Sequence, residues 1–163
     1  MNKNKKDPEC CPPFDPALWD YKTHDWIDKP FIKDNLPQFF HMPLPYMMGR
    51  VIGRMWKKAE AANAAPATKD FMILSYDPSP WKSELYMSVT GEVPGAENIK
   101  FTGTFVSKVF DGPYQNMPKY LNEFRRYLEL IDKKAKKYYF YYTTCPKCSK
   151  KYGHNYIVAF AEV

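Results

Sequence analysis

The order of predicted strands and helices occurs twice along the chain, and this repeat restricts the fold more than any other feature. Residues 36–95 predict a strand, a helix and two further strands, and residues 100–163 predict the same order. Neither unit has enough strands to be stable alone, so the two units should join in one antiparallel sheet. A chain of 163 residues is long enough to bury the core of such a domain.

The first repeat is predicted from one helical stripe and the strands around it. We expect strands at 36–44, 70–76 and 84–93, the last two joined by the turn "DPSPWKS". Between the first two strands, apolar residues recur at helical spacing. They are Met47, Met48, Val51, Ile52, Met55, Trp56 and Ala59.

The second repeat has the same design. Strands are expected at 101–110, 138–144 and 156–163, and the turn "DGPY" precedes the helix. The apolar stripe of that helix contains Tyr120, Leu121, Phe124, Tyr127, Leu128 and Ile131. The segment "CPKCSKKYGHN" is expected to be an irregular connection. Alignment of the two halves matches Phe39 with Phe105, Phe71 with Tyr139, and Val89 with Phe160.

These elements predict an α+β fold of duplicated β-α-β-β units with pseudo-two-fold symmetry. Two helices should pack on one antiparallel sheet, with a central ligand cleft where the halves meet. Residues 36–163 form a single domain in this interpretation, with one repeat at about 36–95 and the other at about 100–163. Residues 1–35 are dense in Pro, Asp and aromatic residues, and we expect them to form an irregular strap.

Charge and hydropathy exclude several kinds of partner. The net charge is +6, but the lysines cluster at the N-terminus, at the end of the second helix and in the last loop. No nucleic-acid-binding motif accompanies them, so a nucleic-acid partner is not expected. No apolar stretch approaches the ~20 residues of a membrane span, and the N-terminus lacks the apolar region of a secretory signal. We therefore expect a cytoplasmic protein without a membrane partner.

Several motifs resemble those of a known family. "VFDGPY" before the second helix, "SYDP" and "YTTCP" at strand ends, and the closing apolar strand resemble the GyrI-like small-molecule-binding domains. This is the effector-binding fold of multidrug-sensing transcription regulators. "CCPPFDP", "SPWKSELYMSV" and "TTCPKC…YGHNY" are similar to a stand-alone, hydrolase-like subgroup related to cyclopropanoid hydrolases. The GyrI-like resemblance covers about residues 36–163.

The resemblance implies two alternative functions. One is hydrolysis of a strained electrophile, such as a cyclopropanoid DNA-alkylating compound, which would protect the cell. The other is non-catalytic binding of planar, often cationic aromatic compounds. Either function requires an aromatic small molecule as the partner, and neither requires a cofactor for its chemistry.

Ring opening by water needs a hydrogen-bond donor to the carbonyl oxygen and a base that positions water. The resemblance places the base near Phe140, with Met72 as its counterpart in the first half, and neither is acidic. Two carboxylates are therefore the candidates for the base. Glu84 shares a polar strand face with Tyr86 and Ser88, and Glu162 would be a buried acid on the face of Tyr156, Val158 and Phe160. Tyr141 is the candidate donor.

Aromatic residues are abundant, with 13 Tyr, 11 Phe and 4 Trp, and they predict an aromatic-lined slot. The alternative is that they only fill half-buried strands and the core. The predicted lining residues are Phe40, Trp56, Tyr76, Trp81, Tyr86, Phe105, Tyr114 and Tyr139.

Cys145 and Cys148 have the spacing of a zinc knuckle. The predicted ligands of a structural zinc ion are Cys11, Cys145, Cys148 and His154, with Cys10 as the alternative to Cys11. The alternatives are reduced cysteines in a buried turn and a redox pair, which would need a following helix that we do not expect. His24 and His41 are assigned no role.

Overall fold

The computed structural model describes residues 11–163, apart from the side chains of Pro45 and Pro146. The part of the expected strap formed by residues 1–10 lies outside them. The strands are β1 (Lys22–Phe39), β2 (Met42–Pro43), β3 (Ile73–Ser79), β4 (Lys82–Ser88), β5 (Glu97–Asp111), β6 (Lys137–Tyr142) and β7 (Tyr156–Glu162). The α-helices are α1 (Pro45–Ala61), α2 (Met117–Leu130) and α3 (Pro146–Tyr152).

The strands form one antiparallel sheet that closes on itself. Its order is β2-β1-β4-β3-β6-β7-β5, and β1 also pairs with β5. Six strands therefore make a barrel-like sheet, and the short β2 pairs with the end of β1. The α+β class and the antiparallel sheet are confirmed. Within residues 11–163 no helix is long and apolar enough to cross a membrane.

The two halves are related by pseudo-two-fold symmetry, and the strand register gives their correspondence. Phe31 lies opposite Ser88 in the first half, and Phe105 lies opposite Glu162 in the second. Both members of the second pair are 74 positions further along the chain. Phe105 therefore corresponds to Phe31, and its predicted match with Phe39 is wrong.

The inner strands follow a different offset. Leu74 lies opposite Tyr86, and Tyr139 lies opposite Phe160, so β3 and β6 are related by 65 positions. Tyr139 and Phe160 thus correspond to Leu74 and Tyr86, not to the predicted Phe71 and Val89. The offsets differ because the connections between equivalent elements differ in length, and a sequence comparison without register does not fix them.

The prediction that residues 11–35 are irregular is also wrong in large part, because β1 begins at Lys22. The strand pairs with β5 through its first half and with β4 through its second. A register shift between Trp26 and Lys29 accommodates Asp28, whose φ of 49° is left-handed. This β-bulge interrupts the apolar alternation that would mark a strand in the sequence.

The core is divided by the sheet. Inside the barrel, all six strands contribute to one apolar cluster of Trp26, Phe31, Met72, Leu74, Tyr86, Phe105, Tyr139, Tyr141, Val158 and Phe160. Helix α1 covers the outer face of the first half, where Val51, Met55 and Ala59 are buried. Helix α2 covers the second half with Tyr120, Phe124 and Leu128, at the spacing of one helical face.

Helix α3 corrects the expectation of an irregular connection at 145–155. It begins at Pro146 and ends before Gly153, whose φ of 72° is left-handed. Glycine adopts this conformation without the cost that a Cβ would bring, so it ends the helix. The cysteine pair therefore lies at the start of a short helix rather than in a turn.

Candidate functional site

A cavity of about 870 Å³ lies where the two halves meet, on the outer face of the sheet, and α1 and α3 both contribute to its wall. Ser75 lies in its wall and pairs with Phe140, its own counterpart at the 65-residue offset, so the expected match of Phe140 with Met72 is wrong. The pseudo-two-fold axis therefore passes between these two residues. Ser83 and Ile157, which are equivalent at the 74-residue offset, line the cavity from either side.

Asp77 provides a carboxylate in the cavity wall. It lies near the end of β3, before Pro78, and its side chain is 31% exposed. His41 Nδ1 lies 3.3 Å from Asp77 Oδ2. His41 has a φ of 61°, in the tight turn between β1 and β2. The turn thus places an imidazole beside the carboxylate.

Two tyrosines lie close to this carboxylate. Tyr114 and Tyr142 both line the cavity, and their ring centroids are 5.9 Å apart. The Tyr114 hydroxyl donates to the His41 carbonyl oxygen at 2.7 Å. Because one half provides Tyr142 and Asp77 comes from the other, the group depends on the joining of the halves.

The phenols are held in their neutral form. Burial raises the pKa of Tyr114, and the negative charge of Asp77 raises it further. Burial also raises the pKa of Tyr142, with contributions from Tyr114 and Asp77. A neutral phenol has one proton to donate. Tyr114 gives its proton to the His41 carbonyl oxygen, so Tyr142 is the phenol that can donate to an oxygen on which negative charge develops.

Thr144 adds a buried polar group to the wall. Its Oγ1 is the one buried side-chain oxygen or nitrogen of residues 11–163 that has no hydrogen-bond partner. An unsatisfied buried hydroxyl costs about 1–3 kcal/mol. A bound molecule or water in the cavity would relieve that cost.

The predicted lining residues fall into several places, and Tyr114 alone of that set lines the cavity. Phe40 and Trp81 pack together at 4.9 Å and are exposed, close to the cavity residue Gln38. Trp56 packs against Phe71 beneath α1.

The other predicted aromatics meet inside the barrel, on the opposite face of the sheet. The ring of Tyr139 lies 5.8 Å from Tyr76, 5.9 Å from Tyr86 and 6.3 Å from Phe105. Tyr141 is buried there, and its hydroxyl donates to the Phe71 carbonyl oxygen at 3.2 Å. Burial and a nearby cysteine thiol raise the pKa of Tyr141 to about 12.

The candidate base Glu84 lies at the edge of this aromatic cluster. It accepts a hydrogen bond from the Tyr86 hydroxyl at 2.6 Å and forms an ion pair with Lys33 at 3.2 Å. Burial acts to raise the pKa of Glu84, but these partners outweigh it, and the pKa is lowered. The carboxylate is therefore well satisfied as an anion, and it attracts a proton weakly.

Glu162 lies on the same interior face, opposite Phe105 on β5 and Lys137 on β6. Its charge helps burial to raise the pKa of Tyr139. The Lys137 ammonium lies 3.9 Å from the centroid of the Tyr76 ring, a cation–π contact. Both carboxylate candidates thus belong to one interior cluster, and neither lines the cavity.

Three of the four predicted metal ligands come together. The Sγ atoms of Cys11, Cys145 and Cys148 all lie within 4.8 Å of one another. His154 is not part of this group. Its Nδ1 lies 2.7 Å from Asp111 Oδ2, and its ring stacks on Tyr156 at 5.0 Å.

A duplicated β-α-β-β barrel with a cavity between its halves defines the GyrI-like, effector-binding type of fold. The chain belongs to the Bacterial hydrolase family, which it matches over residues 1–163. These two findings support a general assignment as a hydrolase or small-molecule-binding protein. No protein with a curated description matches the sequence.

Solved structures share the fold at low identity. The EcmrR C-terminal domain is 11% identical to this chain, with a TM-score of 0.65. The match covers 89% of this chain and 97% of that domain. An uncharacterized conserved protein from Listeria innocua is 8% identical with a TM-score of 0.62, covering 87% and 91%. A hydrolase from Listeria innocua is 8% identical with a TM-score of 0.61, covering 88% and 91%.

Sequence reasoning missed Asp77, although it lies within the quoted motif "SYDP". The signal was available, because the resemblance placed the base on a strand that leads into a proline turn. The base was instead placed near Phe140 and Met72, although the counterpart of Asp77 in the second half is Tyr142. His41 was assigned no role because a lone histidine is usually a structural residue, and no local pattern shows its contact with Asp77, 36 positions away.

Proposed function

We propose that the cavity between the halves binds a planar aromatic electrophile and catalyses addition of water to it. The proposed substrate class is a cyclopropane conjugated to a dienone, as in cyclopropanoid DNA-alkylating compounds. One observation carries the proposal, the Asp77 carboxylate beside the neutral phenols of Tyr114 and Tyr142 in one cavity. Membership of the Bacterial hydrolase family agrees with the reaction type.

The cavity suits such a ligand in size and surface. Small-molecule sites typically enclose about 300–1,000 Å³ and have mostly apolar walls with few polar groups. This cavity has about 870 Å³, and Leu36, Met42, Met48 and Ile157 provide apolar wall. Unbranched Met side chains adapt to irregular ligand shapes, which favours recognition of a class of compounds rather than one compound.

The proposed reaction uses the carboxylate and the phenols in different roles. Asp77 accepts a proton from water while the water oxygen bonds to a cyclopropane carbon. The strained C–C bond breaks, and its electron pair passes through the conjugated system to the carbonyl oxygen. Tyr142 donates a hydrogen bond to that oxygen as charge develops, and the oxygen takes up a proton. The net change is addition of one water.

His41 is a positioning residue in this scheme. Its imidazole lies beside Asp77, and its carbonyl oxygen accepts the hydrogen bond of Tyr114. One turn residue therefore holds both the proposed base and the Tyr114 phenol in the cavity wall. Such support matters because catalysis depends on groups held in the productive geometry.

Non-catalytic binding is the second candidate, and Asp77 also favours it. A carboxylate in an apolar cavity is a counter-charge for a cationic aromatic ligand. The two functions differ in outcome, because the second predicts tight binding with no chemical change.

The test is to incubate the purified protein with a synthetic cyclopropane-fused dienone and to follow the mass of the small molecule. We expect catalytic gain of one water, reduced about 100-fold or more in Asp77→Asn. Glu84→Gln is the matched control, because Glu84 lies inside the barrel. Loss of turnover in Glu84→Gln alone would move the base to the barrel interior. Tight binding of an unchanged compound would support the second function.

A further inference from the structure

Three cysteines from distant parts of the sequence meet at one place. Cys145 lies directly before α3 and Cys148 lies within it, whereas Cys11 comes from the segment before β1. The backbone N–H of Cys145 donates to Cys11 Sγ at 3.3 Å, a contact across 134 positions. A second contact fixes the Cys11 backbone, because the Tyr152 hydroxyl donates to the Cys11 carbonyl oxygen at 2.8 Å.

The spacing of the sulfurs suits a metal ion. Zinc–thiolate bonds of about 2.3 Å in tetrahedral geometry place the sulfurs about 3.8 Å apart. The three Sγ atoms already lie within 4.8 Å of one another, so closure on a metal needs shifts of about 1 Å or less. A disulfide at about 2.05 Å would join two of the three and leave the third outside.

The surroundings favour thiolates bound to a cation. Cys148 is 3% exposed and Cys11 and Cys145 are half-buried, so a metal ion bound by the three sulfurs would be largely shielded from water. Three thiolates and one divalent ion leave one negative charge, which Lys150 and Lys151 in the last turn of α3 and the Cys145 N–H can offset. Such N–H···S hydrogen bonds are a second shell that orients the ligand sulfur.

We propose that Cys11, Cys145 and Cys148 bind one Zn²⁺ through their thiolates. The ion would join the segment before β1 to α3. Helix α3 contributes Ser149 and Lys150 to the wall of the cavity, so the site would also hold that wall in place. The proposal does not depend on the function of the cavity, because it rests on the three thiols.

The group of three sulfurs is complete without Cys10 and without His154. Cys10 precedes Cys11 in the sequence but lies outside the described residues. His154 is engaged with Asp111. A tetrahedral site has a fourth position, and variants of these two residues test whether either of them fills it.

The experiment uses the full chain without a histidine tag, purified under reducing conditions. Elemental mass spectrometry should find one zinc per chain. Exchange for Co²⁺ should give intense thiolate-to-metal charge-transfer absorption. Cys11→Ser, Cys145→Ser and Cys148→Ser should each lower the zinc content at least tenfold, whereas Lys147→Ala on the same helix should retain it. Cys10→Ser and His154→Ala are measured alongside, and loss of zinc in one of them identifies the fourth ligand.

A second measurement keeps the proposal testable if a cysteine variant fails to fold. Stripping zinc from the wild-type chain with a strong chelator should lower its melting temperature, and added Zn²⁺ should restore it. Wild-type protein without stoichiometric zinc would overturn the proposal. A Cys145–Cys148 disulfide in protein purified under reducing conditions would overturn it too, in favour of a redox pair.

Discussion

Asp77 and Tyr142 occupy equivalent positions in the two halves of the barrel, and both line the cavity on the pseudo-two-fold axis. The equivalence follows from the register, because Tyr76 lies opposite Glu84 just as Tyr141 lies opposite Val158. The duplication therefore produced an asymmetric pair, with an acid from one half and a phenol from the other. The two side chains interact, because the negative charge of Asp77 helps to raise the pKa of Tyr142.

This pair predicts kinetic coupling. We expect Tyr142→Phe to lower the rate of ring opening about tenfold to 100-fold, because a donor to the developing oxyanion is lost. Combined with Asp77→Asn, the loss should be smaller than the product of the two separate losses, since groups that act as a unit are not additive. The measurement is kcat/KM for both single variants and the double variant. Asp77→Asn combined with Glu84→Gln is the control, and there the product rule should hold.

The raised pKa values of the phenols predict the alkaline side of the pH profile. Burial holds the pKa values of Tyr114 and Tyr142 above the ordinary value of 10. The donors stay protonated below that value and are lost only as the pH rises through the raised pKa values. The rate of hydrolysis should therefore show no alkaline decline between pH 7 and pH 10. A decline near pH 8 or 9 in steady-state rates, with the fold intact by circular dichroism, would contradict the donor role.

Glu84 predicts a loss of stability in acid. Its folded pKa lies below the ordinary 4.5, so its contribution to stability is present above pH 4.5 and is lost as the pH falls through the folded value. Glu84→Gln should cost about 1–3 kcal/mol at pH 7, because Lys33 and the Tyr86 hydroxyl lose a charged partner. Urea unfolding at pH 7 and pH 3 measures both effects. The gap between the two proteins should narrow at pH 3, and a constant gap would mean that Glu84 acts by packing alone.

The sequence predicted the two long helices and the order of strands well, because their cores require a periodic pattern. The stripes through Met55 and Phe124 are buried as expected. Leu85 and Tyr86 also fall on opposite faces of β4, as alternation requires. The helix stripes and the strand alternation could be predicted because each depends only on which face of one element is buried.

The features that the sequence did not predict depend on long-range geometry. The start of β1 is hidden by the bulge at Asp28, which only its pairing with β5 explains. The contact between His41 and Asp77 depends on the tight turn after β1. The cluster formed by Cys11 and Cys145 was expected from spacing and residue type, but no local pattern fixes a contact across 134 positions.

Thr144 and Thr143 form a matched pair for testing the cavity. Thr143 is satisfied, since its hydroxyl donates to the Tyr156 carbonyl oxygen at 2.9 Å, whereas Thr144 Oγ1 has no partner within residues 11–163. Thr144→Val should leave the free energy of unfolding unchanged or raise it by about 1 kcal/mol, and Thr143→Val should lower it by about 1 kcal/mol. Urea titration measures both. If Thr144 contacts the ligand, Thr144→Val should also weaken binding of an aromatic probe, and Thr143→Val should not.

Gly112 in the motif "VFDGPY" tests why this turn needs glycine. Its φ is 153°, and a Cβ there would overlap the Tyr120 hydroxyl. Tyr120 is buried beneath α2 and stacks on Phe110 at 4.7 Å, so it has little room to move. Gly112→Ala should lower the free energy of unfolding by about 2 kcal/mol or more, because backbone strain and the overlap add. Gly91→Ala, where a Cβ meets nothing within 4 Å, should change it by less than about 0.5 kcal/mol. Equal effects in thermal or urea unfolding would show that the turn tolerates a side chain and that the Tyr120 contact does not select glycine.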